Sequence, residues 1–241
     1  MNVQIAADYA SMCRAAADLV IAQVAHKPDS LICFPSGESP AGVFTCLVAD
    51  AKGGRVDFSA CYFVGLDEWV GLGREDAGSC TNFLYENFFS PLAIEPAHIQ
   101  FFDAKSADLD SACKDMDDFI RARGPLDIMM VGIGMNGHIG LNEPGTEFNL
   151  YAHHAPLAPL TVSVGQKYFT QPTALSQGIT LGLQYLQEAR MPLLIAAGAK
   201  KAEIVAQALT GPVSTALPAT IFQTLPPAYV LLDAAAAKQL P

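Results

Sequence analysis

Six short apolar runs set the architecture of this chain: Ser30 to Phe34, Ala60 to Leu66, Leu126 to Val131, Leu160 to Val164, Met191 to Ala197 and Ala228 to Leu232. They alternate with stretches of helical apolar spacing, roughly Ala6 to Ala25, Ala41 to Ala51, Ser79 to Phe89, Asp108 to Arg123 and Lys200 to Leu209. Strands separated by helices are joined by crossovers, and crossovers imply parallel pairing with helices on both faces of the sheet. The expected class is therefore α/β with an open, mostly parallel sheet. A chain of 241 residues with 51% hydrophobic content can bury a large core. It shows no internal repeat and no low-complexity linker, so residues 1–241 read as a single domain.

Function in such folds gathers where strands end. After the run Leu126 to Val131 comes Gly132-Ile133-Gly134-Met135-Asn136-Gly137-His138-Ile139-Gly140-Leu141-Asn142-Glu143-Pro144. This packs an imidazole, a carboxylate and two carboxamides into a glycine-rich bend at the carboxyl end of a strand, where ligands of open α/β sheets bind. Gly132, Gly134 and Gly137 also spell the dinucleotide fingerprint, but its context is missing. Pro144 and Gly145 stop any helix, and the acidic residue due about 20 positions on falls in the acid-free segment Ala152 to Pro159. The span Asn142 to Pro159 has three prolines and no clear periodicity, and reads as a long loop or lid.

Three further turns, each just past an apolar run, fit the same crevice. Pro35-Ser36-Gly37-Glu38-Ser39-Pro40 opens a helix, a geometry in which backbone N–H groups cradle an anion such as phosphate. The simpler reading makes Ser39 an N-cap with Pro40 at the first helical position, and both readings can hold together. Glu38 opposes phosphate and should point outward if the cradle exists. In Leu66-Asp67-Glu68-Trp69, two successive carboxylates cannot share a face when extended, so Asp67 is assigned to the crevice and Glu68 to solvent or a partner group. Gly198-Ala199-Lys200-Lys201 supplies cations after another run.

The formal charge of -10 argues against a nucleic-acid partner or an anionic membrane surface, both of which need clustered Lys and Arg. The six cysteines are scattered without a C-x-x-C pair, as expected for reduced thiols in a cytoplasmic protein. The N-terminal segment carries Asp8, Arg14 and Asp18, which excludes a signal peptide or a membrane span there. His138, His153 and His154 lack the spacing of a metal site, so no metal is expected.

The combination of Gly65 to Gly71 (G-L-D-E-W-V-G), Gly132 to Pro144 and Gly198-Ala199-Lys200-Lys201-Ala202, with Ala219-Thr220-Ile221-Phe222-Gln223 before the last run, resembles the glucosamine-6-phosphate deaminase family, also called glucosamine-6-phosphate isomerase. The likeness spans most of the chain in the same order, and its G-H-I-G-x-N-E-P core is the most specific part. The resemblance implies a Rossmann-like sheet that converts an amino-sugar 6-phosphate and water to a ketose 6-phosphate and ammonia, without a cofactor. It implies His138 as the ring-opening acid/base, supported by Glu143 and Asn136, and Asp67 as the base that moves a proton from carbon 2. An imidazole titrating near neutrality suits the first step, while an aspartate needs desolvation to become basic enough for the second. Ser36, Gly37, Ser39, Gly137, Lys167 and Lys201 are the expected substrate and phosphate contacts.

The chain also departs from the pattern. Asn136 stands where many relatives have aspartate, and Leu141 where they have phenylalanine. The arginine that glucosamine enzymes use to hold the phosphate is absent from Leu160 to Phe169. Lys167 can substitute as a point charge without the bidentate fork, or the sugar differs. The V-G-Q-K-Y-F stretch looks more like galactosamine-6-phosphate relatives, which leaves the epimer open. Homo-oligomerisation is likewise left open by the sequence. The rival readings are a 6-phosphogluconolactonase-type ester hydrolase, whose loop resembles G-H-T-A-S-L-F-P and has no glutamate at the position of Glu143, and a non-catalytic sugar-phosphate sensor. The second lacks support because the acid and base residues are retained.

Overall fold

The computed structural model describes residues 1–241. Its strands are β1 (Asn2–Ala6), β2 (Leu31–Phe34), β3 (Tyr62–Gly65), β4 (Asp67–Trp69), β5 (Ile99–Gln100), β6 (Ile128–Val131), β7 (His153–Pro156), β8 (Gln177–Thr180), β9 (Met191–Ala196) and β10 (Tyr229–Asp233). The helices are α1 (Tyr9–His26), α2 (Glu38–Lys52), α3 (Cys80–Leu84), α4 (Leu109–Arg121), α5 (Pro159–Gly165), α6 (Leu183–Glu188) and α7 (Ala202–Thr210).

Seven strands form one sheet in the order β1-β10-β9-β6-β2-β3-β5. Every pairing in it is parallel. Side chains alternate between its faces, as strand geometry requires. Leu31, Cys33, Met129, Val131 and Leu194 pack on one side with α4 and α7, while Ile32, Phe34, Ile128, Met130 and Leu193 pack on the other with α1 and α2. Phe34, Phe44, Phe63, Phe88 and Phe89 form a mostly edge-on aromatic cluster on the second face, with Phe34 and Phe44 at 5.1 Å, and Phe34 stacks on Phe63.

The chain runs outward from β2 through β3 to β5, then returns to place β6 on the other side of β2 and continues to β9 and β10. The reversal between β2 and β6 is the switch point at which open α/β sheets bind ligands, beyond the strands' carboxyl ends. The loops after β2, β3, β6 and β9 all begin at that rim.

A second sheet, β4-β8-β7, is antiparallel and binds two of these loops together. Asp67 of β4 is paired with Thr180 of β8, and the Thr180 hydroxyl accepts the backbone N–H of Leu141 at 3.2 Å. The arm carrying Asp67 is thereby tied to the loop carrying His138.

The expectations differ from the structure in several places. Leu160 to Val164 is not a strand but most of α5: Pro159 starts the helix, and the buried positions Thr161 and Gly165 lie four apart on one helical face. The β-branched alternation Thr161-Val162-Ser163-Val164 imitates strand periodicity. The segment 142–159 is not uniformly loop, since β7 pairs with β8 through His153 to Pro156. The expected helix from Ala6 begins at Tyr9, capped by the Asp8 carboxylate, and the preceding residues form the exposed edge strand β1. No helix is long and apolar enough to cross a membrane.

Candidate active site

A crevice of about 910 Å³, including its open mouth, lies over the switch point. It is lined by residues from all four loops, among them Ser36, Gly37, Ser39, Asp67, Asn136, His138 and Lys201, and by Lys167 from outside them. Glu143 is buried behind that wall, and Gly137 is turned away from it. Gly137 adopts φ 81° where an added Cβ would meet Leu217 at 2.7 Å, and its N–H is spent on the Gly134 carbonyl. Its place is in the bend rather than in the wall.

The bend after β6 is held together by its own polar groups. The Asn136 carboxamide donates to Glu143 Oε2 at 2.8 Å and accepts the His138 N–H at 3.2 Å. His138 Nδ1 lies 3.5 Å from Glu143 Oε2 and 3.2 Å from the Thr161 hydroxyl. The Ala158 N–H donates to the other Glu143 oxygen at 3.2 Å. With Nδ1 engaged behind, Nε2 is the ring atom left for the crevice. Gly134 makes room for it, because a Cβ there would stand 2.2 Å from Nε2. Burial pushes the Glu143 carboxyl up, but contacts with His138 and Thr161, then Asn136, outweigh it and bring the group down to about 2. Glu143 is therefore a fixed anion behind the imidazole.

Asp67 faces the crevice from β4 and has the opposite character. Desolvation pushes its carboxyl up to about 7, the charge of Glu68 adds to the rise, and the Cys80 thiol pulls the other way. Glu68 points into the protein, where its carboxylate accepts the N–H groups of Trp69, Cys80 and Thr81 at 3.0, 2.9 and 2.8 Å. Its partner is thus the first turn of α3, whose unpaired N–H groups and dipole favour an anion. One acid is dissolved in hydrogen bonds and the next is stripped of them.

The turn after β2 departs from the expected cap. Gly37, at φ 109°, occupies the N-cap position without a side-chain cap, and Glu38, Ser39 and Pro40 are already in the first helical turn. Lys167, on the turn following α5, pairs with Glu38 at 2.8 Å. Glu38 is exposed, as the cradle reading asks, yet it lies on the crevice rim and not away from it. Lys201 donates to the Ile133 carbonyl at 2.6 Å. Burial, followed by the charge of Lys167, brings Lys201 down to about 8, with Glu38 opposing. Lys200 does not line the crevice.

Sequence reasoning missed Thr161, Cys80, Trp69 and Tyr168 as wall residues. Thr161 was hidden inside the segment expected as a strand; read as helix, its position one turn from Gly165 would have turned it toward His138. His153 and His154 are elsewhere, bound to the Tyr151 carbonyl and the Asp110 carboxylate at 2.9 and 3.3 Å.

The family described as glucosamine-6-phosphate isomerases/6-phosphogluconolactonase matches residues 5–226. The chain is 35% identical over 241 residues to glucosamine-6-phosphate deaminase of Halothermothrix orenii, covering all of both proteins. It is 32% identical to glucosamine-6-phosphate deaminase 2 of Bacillus subtilis, covering 100% of this chain and 98% of that one. Among solved structures, a monomeric glucosamine-6-phosphate deaminase superposes with a TM-score of 0.96 at 29% identity, covering 99% and 100% of the two chains. The 6-phosphogluconolactonase of Trypanosoma brucei superposes with a TM-score of 0.80 at 17% identity over 100% and 98%, a likeness of fold.

Proposed function

Since the chain belongs to the glucosamine-6-phosphate isomerase/6-phosphogluconolactonase family, we propose that it is an amino-sugar-phosphate deaminase, converting glucosamine 6-phosphate and water to a ketose 6-phosphate and ammonia. The observation that carries the reading is the pairing, in one crevice, of a desolvated aspartate with an imidazole backed by a fixed carboxylate.

The closed sugar ring must open first. His138 Nε2 takes the proton of the anomeric hydroxyl and delivers one to the ring oxygen as that carbon–oxygen bond breaks. Glu143 stabilises the imidazolium formed in between, and Asn136 and Thr161 fix the ring's orientation. Asn136 supplies these hydrogen bonds without a second charge, so Glu143 alone provides the anion. The open-chain aldehyde then loses its carbon 2 proton to Asp67 as its oxygen takes up a proton, giving an enolamine, and return of a proton from Asp67 to carbon 1 leaves a protonated carbon–nitrogen double bond at carbon 2. An ordinary aspartate is a weak base, with a pKa of ~3.9. One raised to about 7 is far better matched to this transfer while remaining substantially ionised at neutral pH. Enolisation leaves the nitrogen on a carbon at the ketone oxidation level. Water adds there, the carbon–nitrogen bond breaks, and ammonia departs.

The phosphate is assigned to the Ser36, Gly37 and Ser39 turn with Lys167 and Lys201, which lie along the same crevice as the reacting groups. In this reading residues 1–241 work as one unit. All the named groups come from one chain, so self-association is not needed to complete the site. A cytoplasmic setting accords with six free cysteines, five of them buried. The lactonase reading is disfavoured by Glu143, which has a defined partner in His138 and no counterpart in the lactonase loop pattern.

The test is ammonia release measured side by side with glucosamine 6-phosphate and galactosamine 6-phosphate. Release from the glucosamine substrate is expected, and the ratio of the two kcat/KM values fixes the epimer preference. Release from neither, with hydrolysis of a 6-phosphogluconolactone instead, would overturn the proposal.

A further inference from the structure

The rim of the crevice holds a carboxylate where an anion is to bind. Glu38 is the first residue of α2, next to the N-cap Gly37, and its Oε2 lies 2.8 Å from Lys167 Nζ. The two residues are 129 apart in sequence, where the turn after β2 meets the turn after α5. Both line the crevice together with Ser36, Ser39 and Lys201. Lys167 makes no other ion pair. The other lysine lining the crevice, Lys201, donates one hydrogen bond to the Ile133 carbonyl and keeps two donors for a ligand.

We propose that the Glu38–Lys167 pair is a latch in which Glu38 occupies the lysine that the incoming phosphate must capture, making Glu38 a determinant of affinity for phosphorylated ligands. This rests on the phosphate assignment above. Both side chains are partly exposed, 76% for Glu38 and 41% for Lys167, so the pair is screened and can exchange partners. A phosphate carries more charge than a carboxylate and offers more acceptor oxygens, so it wins Lys167 while Glu38 swings into water. Weaker anions, such as carboxylates, meet an internal competitor of their own kind. The latch thus lowers affinity for all anions but penalises monoanions most, and it keeps Lys167 at the rim when no ligand is present. Glu38 is a positioning and specificity residue that acts through Lys167, not a catalytic one.

The latch is tested by calorimetric titration of inorganic phosphate into the wild type, Glu38→Gln, Lys167→Met and the double variant, at matched ionic strength, with KM for glucosamine 6-phosphate measured on the same four proteins. Glu38→Gln should bind phosphate about three- to tenfold more tightly, from loss of the competing pair and of direct repulsion, and its KM should fall. Most of that gain should vanish in the Lys167→Met background, because the competition acts through that lysine. Acetate should gain proportionally more than phosphate. Unchanged or weaker phosphate binding by Glu38→Gln would overturn the latch, as would an equal gain with and without Lys167, or phosphate binding by none of the proteins. Ammonia release without any effect of Glu38→Gln removes the latch and leaves the deaminase reading intact. A phosphate effect without ammonia release does the reverse.

Discussion

The two halves of the crevice are built on different principles. The half that carries acid–base chemistry is buried and over-determined: His138 is held from behind by Glu143 and Thr161, Glu143 by Asn136 and the Ala158 N–H, and Asp67 by a strand pair that also anchors Leu141. The half that carries the anion site is open, with Lys167 and Glu38 paired across a solvent-facing rim. Proton transfer demands geometry fixed to fractions of an ångström, whereas capture of a charged group tolerates flexible partners. The contrast also separates two carboxylates of like charge. Asp67 is pushed up to about 7 by desolvation, and Glu143 is drawn down to about 2 by hydrogen bonds and an adjacent imidazole. Environments that drive two acids apart in this way assign one to proton transfer and the other to permanent charge.

The largest effect should come from the buried half. Asp67→Asn should lower turnover by ~10⁴-fold, the upper end for loss of a general base, while substrate binding stays within a few-fold. A variant with near-normal turnover would remove Asp67 from the mechanism. The same substitution should make the protein more stable at alkaline pH. Because the folded-state pKa of Asp67 lies above its unfolded value, the folded state holds the proton more tightly, and stability is lost as pH rises from about 4 through about 7. Asparagine has no such loss. Its melting temperature should therefore exceed that of the wild type at pH 8 by at least ~2–4 °C, the shift per kcal/mol for a chain of this size, with the gap shrinking at pH 5. A gap that is constant with pH would mean that Asp67 is not desolvated.

These two halves were unequally legible in the sequence. The five inner strands β2, β3, β6, β9 and β10 were readable because, buried on both faces, they are short continuous apolar runs, whereas the edge strands β1 and β5, exposed or half-buried, carry no such run and were missed. Asp67 and His138 could be located because each follows one of those runs. The small antiparallel sheet was not readable: β8 is Gln177-Gly178-Ile179-Thr180, and Gly178 is there because Leu141 packs where its Cβ would be, 2.3 Å away. That is a tertiary requirement invisible to periodicity. Thr161 was lost because β-branched residues in a short helix imitate a strand, and the tertiary wall around His138 decided the outcome. Glu38 was recognised as an objection to an anion cradle, but its resolution by Lys167 depends on a contact between residues 129 apart. No local pattern carries it.

A smaller loss is expected from the other member of the buried half. His138→Gln should slow turnover of cyclic substrate by ~10²-fold, since glutamine can hydrogen-bond to the ring oxygen but cannot transfer its proton. An open-chain analogue, which skips ring opening, should be affected much less. Equal losses for both would contradict the ring-opening role and would make His138 a general structural element of the crevice.

The smallest effect belongs to the open half, and it is one of affinity. Lys201 is drawn down to about 8 by burial and by Lys167, so its charge is present at neutral pH and lost as pH rises through that value. A lysine that binds phosphate only when protonated should give a KM that climbs above about pH 8 while kcat stays level in that range. Lys201→Met should raise KM by ~10-fold at pH 7, corresponding to the ~1.5 kcal/mol lower range for a hydrogen bond to a charged group. It should also flatten the alkaline rise, because the titrating group is gone. Lys201→Arg, always charged, should restore part of the affinity and keep the flat profile. If the alkaline rise in KM persists in Lys201→Met, another group governs it, and the division of labour between a rigid proton-transfer half and a charge-capturing rim loses its buried cation.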